Sequence, residues 1–236
     1  MRIQTIIIVV LLFLTLRISG VVCQEKTEPQ FKLVEFQMAL LKRGPEWDVT
    51  QSKETTPLRQ QHIAYVQSLL ESGKAVIAGP LDDDGEIKGL YIFRTKSADE
   101  ARNWAENDPL VKAGHLSIEM HPWWAEDVMK QAASPIKLTT AYIAFLSHGP
   151  KWTPEKTAQS EEMQKAHLAN IRKLADMKKL VWAGPFGDKG TLAGIFVFRV
   201  GSLDEARELA ATDPAVQAGR LALDVHPWLV PEGILP

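Results

Sequence analysis

The stretch NDPLVKAGHLSIEMHPW at residues 107–123 is written a second time as TDPAVQAGRLALDVHPW at residues 212–228. The likeness runs upstream at one constant offset of 105 positions. His62 matches His167, Gly79-Pro80 matches Gly184-Pro185, Gly89 matches Gly194, and Phe93-Arg94 matches Phe198-Arg199. Asp99 to Arg102 match Asp204 to Arg207, and Gly44-Pro45 with Trp47 recur as Gly149-Pro150 with Trp152. About a third of the positions from Phe31 to Trp124 are identical to those from Ile136 to Leu229 without a gap, which marks a two-copy duplication rather than a solenoid of many repeats. The expected units are residues 31–124 and 136–229, with 125–135 as the linker. Whatever surface one copy leaves unburied, the other is available to cover.

Within each copy the hydrophobic period changes in a fixed order. Phe31 to Leu41 reads as a strand, and Pro57 to Glu71 has helical spacing, with Thr56 as cap and Pro57 in the first turn. Gly73 ends that helix, and KAVIAGP is a short strand stopping at Pro80. DDDGEI reads as a hairpin turn in which Asp-Gly supplies positive φ, and GLYIFRT pairs back. Ser97 opens a second helix, with Glu100 expected to complete a capping box. After Asp-Pro and Gly114, LSIEMHPW alternates as the last strand. The order βαββαβ is ferredoxin-like, and the fold class is α+β. One such sheet buries only the face its helices cover. In the second copy the last strand places Leu221, Leu223 and Val225 on one side, for the helices, and Ala222, Asp224 and His226 on the other, facing the first copy's sheet. The expected architecture is therefore tandem ferredoxin-like units packed sheet to sheet as an internal pseudo-dimer.

With 45% hydrophobic and 24% charged residues, the 236-residue chain has the make-up of an ordinary globular protein. Its net charge is −2 and no Lys/Arg stripe could follow a phosphate backbone, so nucleic acid is not an expected partner. Residues 1–23 have the layout of a secretory signal peptide: Arg2, an apolar run from Ile6 to Leu16, then Arg17. That run is well short of the roughly 20 residues a bilayer needs, so no stable membrane insertion is expected after processing. Cleavage after Cys23 would give a secreted or periplasmic protein without thiol or disulfide. The alternative is a lipid anchor on Cys23, against which Val22 is bulky for a lipoprotein signal.

Three recurring features could carry chemistry. His62 and His167 lie on the first helix of each copy at helical spacing from core positions, and fit either a hydrogen-bonded core histidine or a catalytic base. Asp108 and Asp213 precede Pro, which marks a helix cap, and a capping carboxylate keeps a second oxygen that could orient an imidazole. His121 and His226 stand two residues after Glu119 and Asp224 and share a strand face with them. That pattern is weak as a metal site, because no third ligand and no zinc spacing accompany it. Trp47, Trp152, Trp123 and Trp228 could line a pocket or serve as core. No phosphate-cradling Gly loop or Gly-x-Ser-x-Gly elbow is present, and no cofactor is implied.

The runs RQQHIAYVQSLLESGKAVIAGP, SADEARNWAENDPLVKAG and IEMHPW, and their counterparts in the second copy, resemble the YciI-like (YCII-related) domain family. The resemblance covers nearly all of the chain after the signal. It implies a dimeric α+β barrel, here within one chain, and a His/Asp-centred site, hence His62 with Asp108 and His167 with Asp213. One branch of that family eliminates hydrogen chloride from a chlorinated hydroxyquinol, and many members have no known reaction. The chain departs in carrying both units together, in its export signal, and in His121 or His226 before the Pro-aromatic ending. The functional expectation is a His/Asp acid-base enzyme (lyase, isomerase or hydrolase) acting on a small polar organic molecule. The alternatives are a protein that binds a small molecule in the barrel interior without turnover, and a structural envelope protein.

Overall fold

The computed structural model describes residues 31–48 and 56–236. The expected signal peptide and Cys23 lie outside the described residues. No described helix is long and apolar enough to cross a membrane.

The first copy comprises β1 (Leu33–Arg43), α1 (Pro57–Glu71), β2 (Ala75–Pro80), β3 (Ile87–Phe93), α2 (Ala98–Glu106), the short α3 (Pro109–Lys112) and β4 (Leu116–Glu126). The second repeats it as β5 (Leu138–His148), α4 (Ala158–Asp176), β6 (Leu180–Pro185), β7 (Leu192–Phe198), α5 (Leu203–Ala211), α6 (Pro214–Gln217) and β8 (Leu221–Pro231). Each sheet is antiparallel, in the orders β2-β3-β1-β4 and β6-β7-β5-β8, as a ferredoxin-like unit requires. Ala125 and Glu126, assigned to the linker by sequence, extend β4 because they pair with Val34 and Leu33.

The local signals act largely as expected. Thr56 Oγ1 accepts from Arg59 N, Pro57 occupies the first turn of α1, and Gly73 follows the helix at φ +72°. Two details differ. Glu100 does not close a capping box on Ser97; its carboxylate accepts from Thr95 Oγ1 at 2.6 Å, and Thr95 Oγ1 also receives Ser97 N. The β2–β3 turn does not use a positive φ at Gly85; the Asp83 side chain closes it instead, accepting Gly85 N at 2.9 Å. That replacement matters because Asp83 has a second partner in the other copy.

The two sheets join at their edges as well as burying their inner faces. Leu81 after β2 bridges to Trp228 in β8, and Phe186 after β6 bridges to Trp123 in β4. Asp82 N donates to Pro227 O at 2.9 Å and Gly187 N to Pro122 O at 2.8 Å. Each edge strand thereby meets an edge strand of the other sheet, so the eight strands close into a barrel. Its centre is filled by Phe36, Met38, Trp123, Trp182, Val197 and Trp228 among others. Trp123 and Trp182 meet edge to face at 4.5 Å. Of the two roles open to Trp123 and Trp228, core is the one they take: both are fully buried and donate their indole N–H to backbone, Trp123 to Gly184 O at 2.9 Å and Trp228 to Gly79 O at 3.2 Å. On the outer faces, α1, α2 and α3 cover the first sheet, and α4, α5 and α6 the second. Val225, Leu221 and Leu223 pack on the helix side while Trp228 and Val230 point inward, as the alternation along β8 predicts.

Candidate active site

The first candidate site forms where α1 meets the cap of α3 on the outer face of the first sheet. Asp108 must cap α3, since Pro109 starts it and Leu110 N needs an acceptor; Oδ1 takes that N–H at 2.8 Å. The capping position is fully buried. His62, on the inner side of α1, then lies with Nδ1 at 2.9 Å from Asp108 Oδ1 and 2.8 Å from Oδ2. Tyr91 of β3 donates its hydroxyl to Oδ2. A buried carboxylate without donors would be costly; this one has an amide, an imidazole and a phenol. Burial, with the Asp108 charge second, pushes the Tyr91 phenol well above its ordinary value, so it remains a donor. The same two causes, in the same order, raise Tyr65, whose hydroxyl donates to Trp104 O at 2.8 Å.

Because ionised Asp108 only accepts, the imidazole proton is assigned to Nδ1, and neutral His62 carries its lone pair on Nε2. His62 and Tyr91 line a cavity of about 700 Å³. Its walls include Ile63 and Val66 of α1, and Leu138 and Leu229 from the second copy. Trp47, grouped by sequence with three other tryptophans, lines it too. Pockets of this size hold small organic ligands.

The second copy repeats the pair but not its surroundings. His167 Nδ1 is 2.7 Å from Asp213 Oδ2, and Asp213 Oδ1 accepts Ala215 N at 2.9 Å. Phe196 stands in place of Tyr91, its ring stacked 5.9 Å from the His167 ring, so this carboxylate lacks the phenol donor. Asn170 replaces Tyr65, and its buried Nδ2 has no hydrogen-bond partner.

His121 and His226 belong elsewhere, at the two seams of the barrel. His121 Nδ1 is 2.6 Å from Asp188 Oδ2 of the other copy, and Nε2 is 3.0 Å from Glu119 Oε1. His226 Nδ1 is 2.6 Å from Asp83 Oδ2; its Nε2 is 3.0 Å from Asp224 Oδ2 but outside hydrogen-bonding angle. Burial alone would raise the Asp83 carboxyl, yet the hydrogen bonds from His226 and the Gly85 amide hold it below its ordinary value. Lys42 does the same for Glu119 against the effect of burial. These histidines clamp one copy to the other. No group of three or more His, Cys, Asp or Glu placed to share a metal ion occurs among the described residues.

Tyr91, Asp83 and Asp188 escaped the sequence reading. Tyr91 carried no signal, because the repeat has Phe there. Asp83 and Asp188 did carry one, recurring at the common offset inside a turn read only for its glycine.

Comparison with known proteins supports this architecture. The family model described as "YCII-related domain" matches residues 37–123 and again 144–229. An uncharacterized protein, YjpA, of Bacillus subtilis (strain 168) is 32% identical over 76 residues, covering 30% of this chain and 87% of that protein. Among solved structures, a variant of the chlorite dismutase of Candidatus Nitrospira defluvii superposes with a TM-score of 0.54 at 11% identity, over 86% of this chain and 92% of that one. A heme-binding protein from Thermus thermophilus gives 0.51 at 13% identity, over 86% and 92%. At such identities the structural likeness establishes the fold, a dimeric α+β barrel. With both halves matched by the family model, the chain belongs to the YCII-related domain family as a tandem pair.

Proposed function

We propose that the first copy is an acid-base enzyme site in which His62 is the proton-transferring group, Asp108 holds it in one tautomer and Tyr91 holds Asp108. The observation that carries this reading is the His62–Asp108–Tyr91 chain at the wall of a cavity large enough for a small organic molecule. Nε2 is the ring nitrogen left to meet a bound molecule. It would take a proton from a C–H or O–H of the substrate, or from a water, becoming imidazolium against the Asp108 charge. Returning that proton to a leaving group gives elimination, to another carbon isomerisation, and to a departing alkoxide hydrolysis. A His serves this near neutral pH.

The reading is tested with the mature protein and a panel of small organic acids, esters and lactones followed by NMR in D2O, where proton abstraction also appears as deuterium exchange. His62→Asn should lower exchange or turnover by roughly 10²- to 10⁴-fold with the melting temperature little changed. A variant that folds and keeps the wild-type rate sinks the assignment, and one that binds panel members without exchange in either form favours a binding protein. We further propose that the protein works outside the cytoplasm after removal of residues 1–23. Mass spectrometry of the exported protein should find Gln24 as first residue; an intact Met1 or a lipid-modified Cys23 would contradict this.

A further inference from the structure

The surroundings of His62 differ from those of His167 by more than Tyr91. Trp47, in the wall of the cavity beside His62, has two cations against it: Lys88 Nζ lies 5.5 Å and the Arg43 guanidinium carbon 5.7 Å from the ring centre, and all three line the cavity. Among the described residues, the hydrogen bonds of the two side chains go to carbonyls. Lys88 Nζ donates to Asp83 O at 3.1 Å and Arg43 Nη2 to Asp84 O at 2.8 Å. Asp82, Asp83 and Asp84 line the same cavity, but the Asp83 carboxylate is engaged with His226 of the second copy. Half-burial first, and the Arg43 charge second, hold the Lys88 ammonium below its ordinary range despite the opposing charges of Asp83 and Asp84. The cavity wall thus carries Lys88 and Arg43 together against the Trp47 ring, with Asp82 and Asp84 lining it as well and the Asp83 carboxylate engaged at the seam.

The second copy keeps the tryptophan and loses both cations. Trp152 stands for Trp47, His148 for Arg43 and Ala193 for Lys88. The His148 ring stacks on Trp152 at 3.8 Å, where the first copy sets Arg43 against Trp47. Recurrence of the Trp without its cations separates fold from ligand: the aromatic serves both copies, the charges only one.

We propose that the first copy's cavity binds a small organic anion, its carboxylate held by Lys88 and Arg43 beside Trp47 and its apolar body lying along Ile63, Val66 and Leu138. Paired cations over an aromatic plane suit a planar carboxylate, which accepts from an ammonium and a guanidinium together. The acid-base reading of His62 supplies the reaction such an anion would undergo. The binding itself does not depend on it.

The test uses the mature protein with two ¹⁹F probes of equal shape, 4-fluorobenzoate and its neutral amide 4-fluorobenzamide, read by fluorine NMR titration. The acid should bind saturably, more weakly as salt is raised, and about tenfold or more tighter than the amide. Lys88→Ala, which installs the second copy's residue, should weaken the acid by about tenfold or more and leave the amide unchanged. If that variant does not fold, Lys88→Gln against Lys88→Arg reads the same contrast, with affinity retained only in the arginine form. Equal affinity for acid and amide, absence of saturable binding by the acid, or indifference to loss of the Lys88 charge would overturn the proposal. His62→Asn separates the two readings. If it still turns over substrate while Lys88→Ala has lost the acid, the acid-base assignment falls and the anion site stands; if turnover needs His62 but the acid does not bind, the reverse holds.

Discussion

Gly79→Ala should open one seam of the barrel. A Cβ on Gly79 would lie 1.8 Å from Leu229 O and 3.0 Å from its carbonyl carbon, and the equivalent atom on Gly184 would lie 1.9 Å from Trp124 O. These obstacles are backbone atoms of the facing strand, which cannot rotate away as a side chain would. The strand carrying Gly79 must retreat from β8, losing the bond from Trp228 Nε1 to Gly79 O and straining that from Asp82 N to Pro227 O. Each such bond is worth about 1 kcal/mol net, and the fully buried Trp228 gains a water-accessible edge besides. The expected loss is at least about 4 kcal/mol, or roughly 10 °C in melting temperature for a domain of this size. Gly73→Ala is the control: Gly73 has φ +72° but open space around its Cβ position, so it should cost only about 1 kcal/mol. Thermal melts followed by tryptophan fluorescence decide the matter. A Gly79→Ala protein melting within about 2 °C of wild type would show that the seam tolerates separation.

The same seam marks the border of what the sequence made legible. The repeat offset and the change of hydrophobic period were enough to expect two βαββαβ units, because strand alternation and helix caps are local signals. Gly79-Pro80 and His121-Pro122-Trp123 also stood out as repeated, but their purpose did not, since each acts on a residue of the other copy. His226 reaches Asp83, 143 positions away, and Trp228 reaches Gly79, 149 away. No periodicity records which edges meet when a barrel closes. The His/Asp pairing was readable because cap and helix position both recur and the family resemblance joined them. Tyr91 was not, because recurrence as a filter removes whatever distinguishes one copy from the other. Arg43 and Lys88 were hidden by that same filter: a site that works in one copy only is written in the differences between the copies.

Asp108→Asn should therefore abolish the chemistry while leaving the fold. The capping bond restricts how the new amide can sit. Leu110 N must still find an acceptor, so the amide oxygen takes the place of Oδ1 and the NH2 group that of Oδ2. The opposite orientation would set two donors against each other inside a fully buried site. In the allowed orientation the NH2 meets His62 and Tyr91, where the carboxylate accepted from both. Tyr91 can rotate its hydroxyl to accept. The amide oxygen at the Oδ1 place, 2.9 Å from Nδ1, could still accept the Nδ1 proton, but that would set Nδ1–H against the NH2 at 2.8 Å; the favoured arrangement moves the proton to Nε2, and the nitrogen left to meet substrate becomes a donor. The base is lost without a change of position. Turnover should fall by roughly 10²- to 10⁴-fold. Binding of the fluorobenzoate probe should persist, since Lys88 and Arg43 are untouched, and the melting temperature should change little because the cap survives. Asp213→Asn makes the same change in the copy that lacks Tyr91, Arg43 and Lys88, and should leave turnover close to wild type. Equal losses in the two variants would make both copies active, whereas an Asp108→Asn protein keeping more than about half the wild-type rate would remove the His62–Asp108 pair from the mechanism.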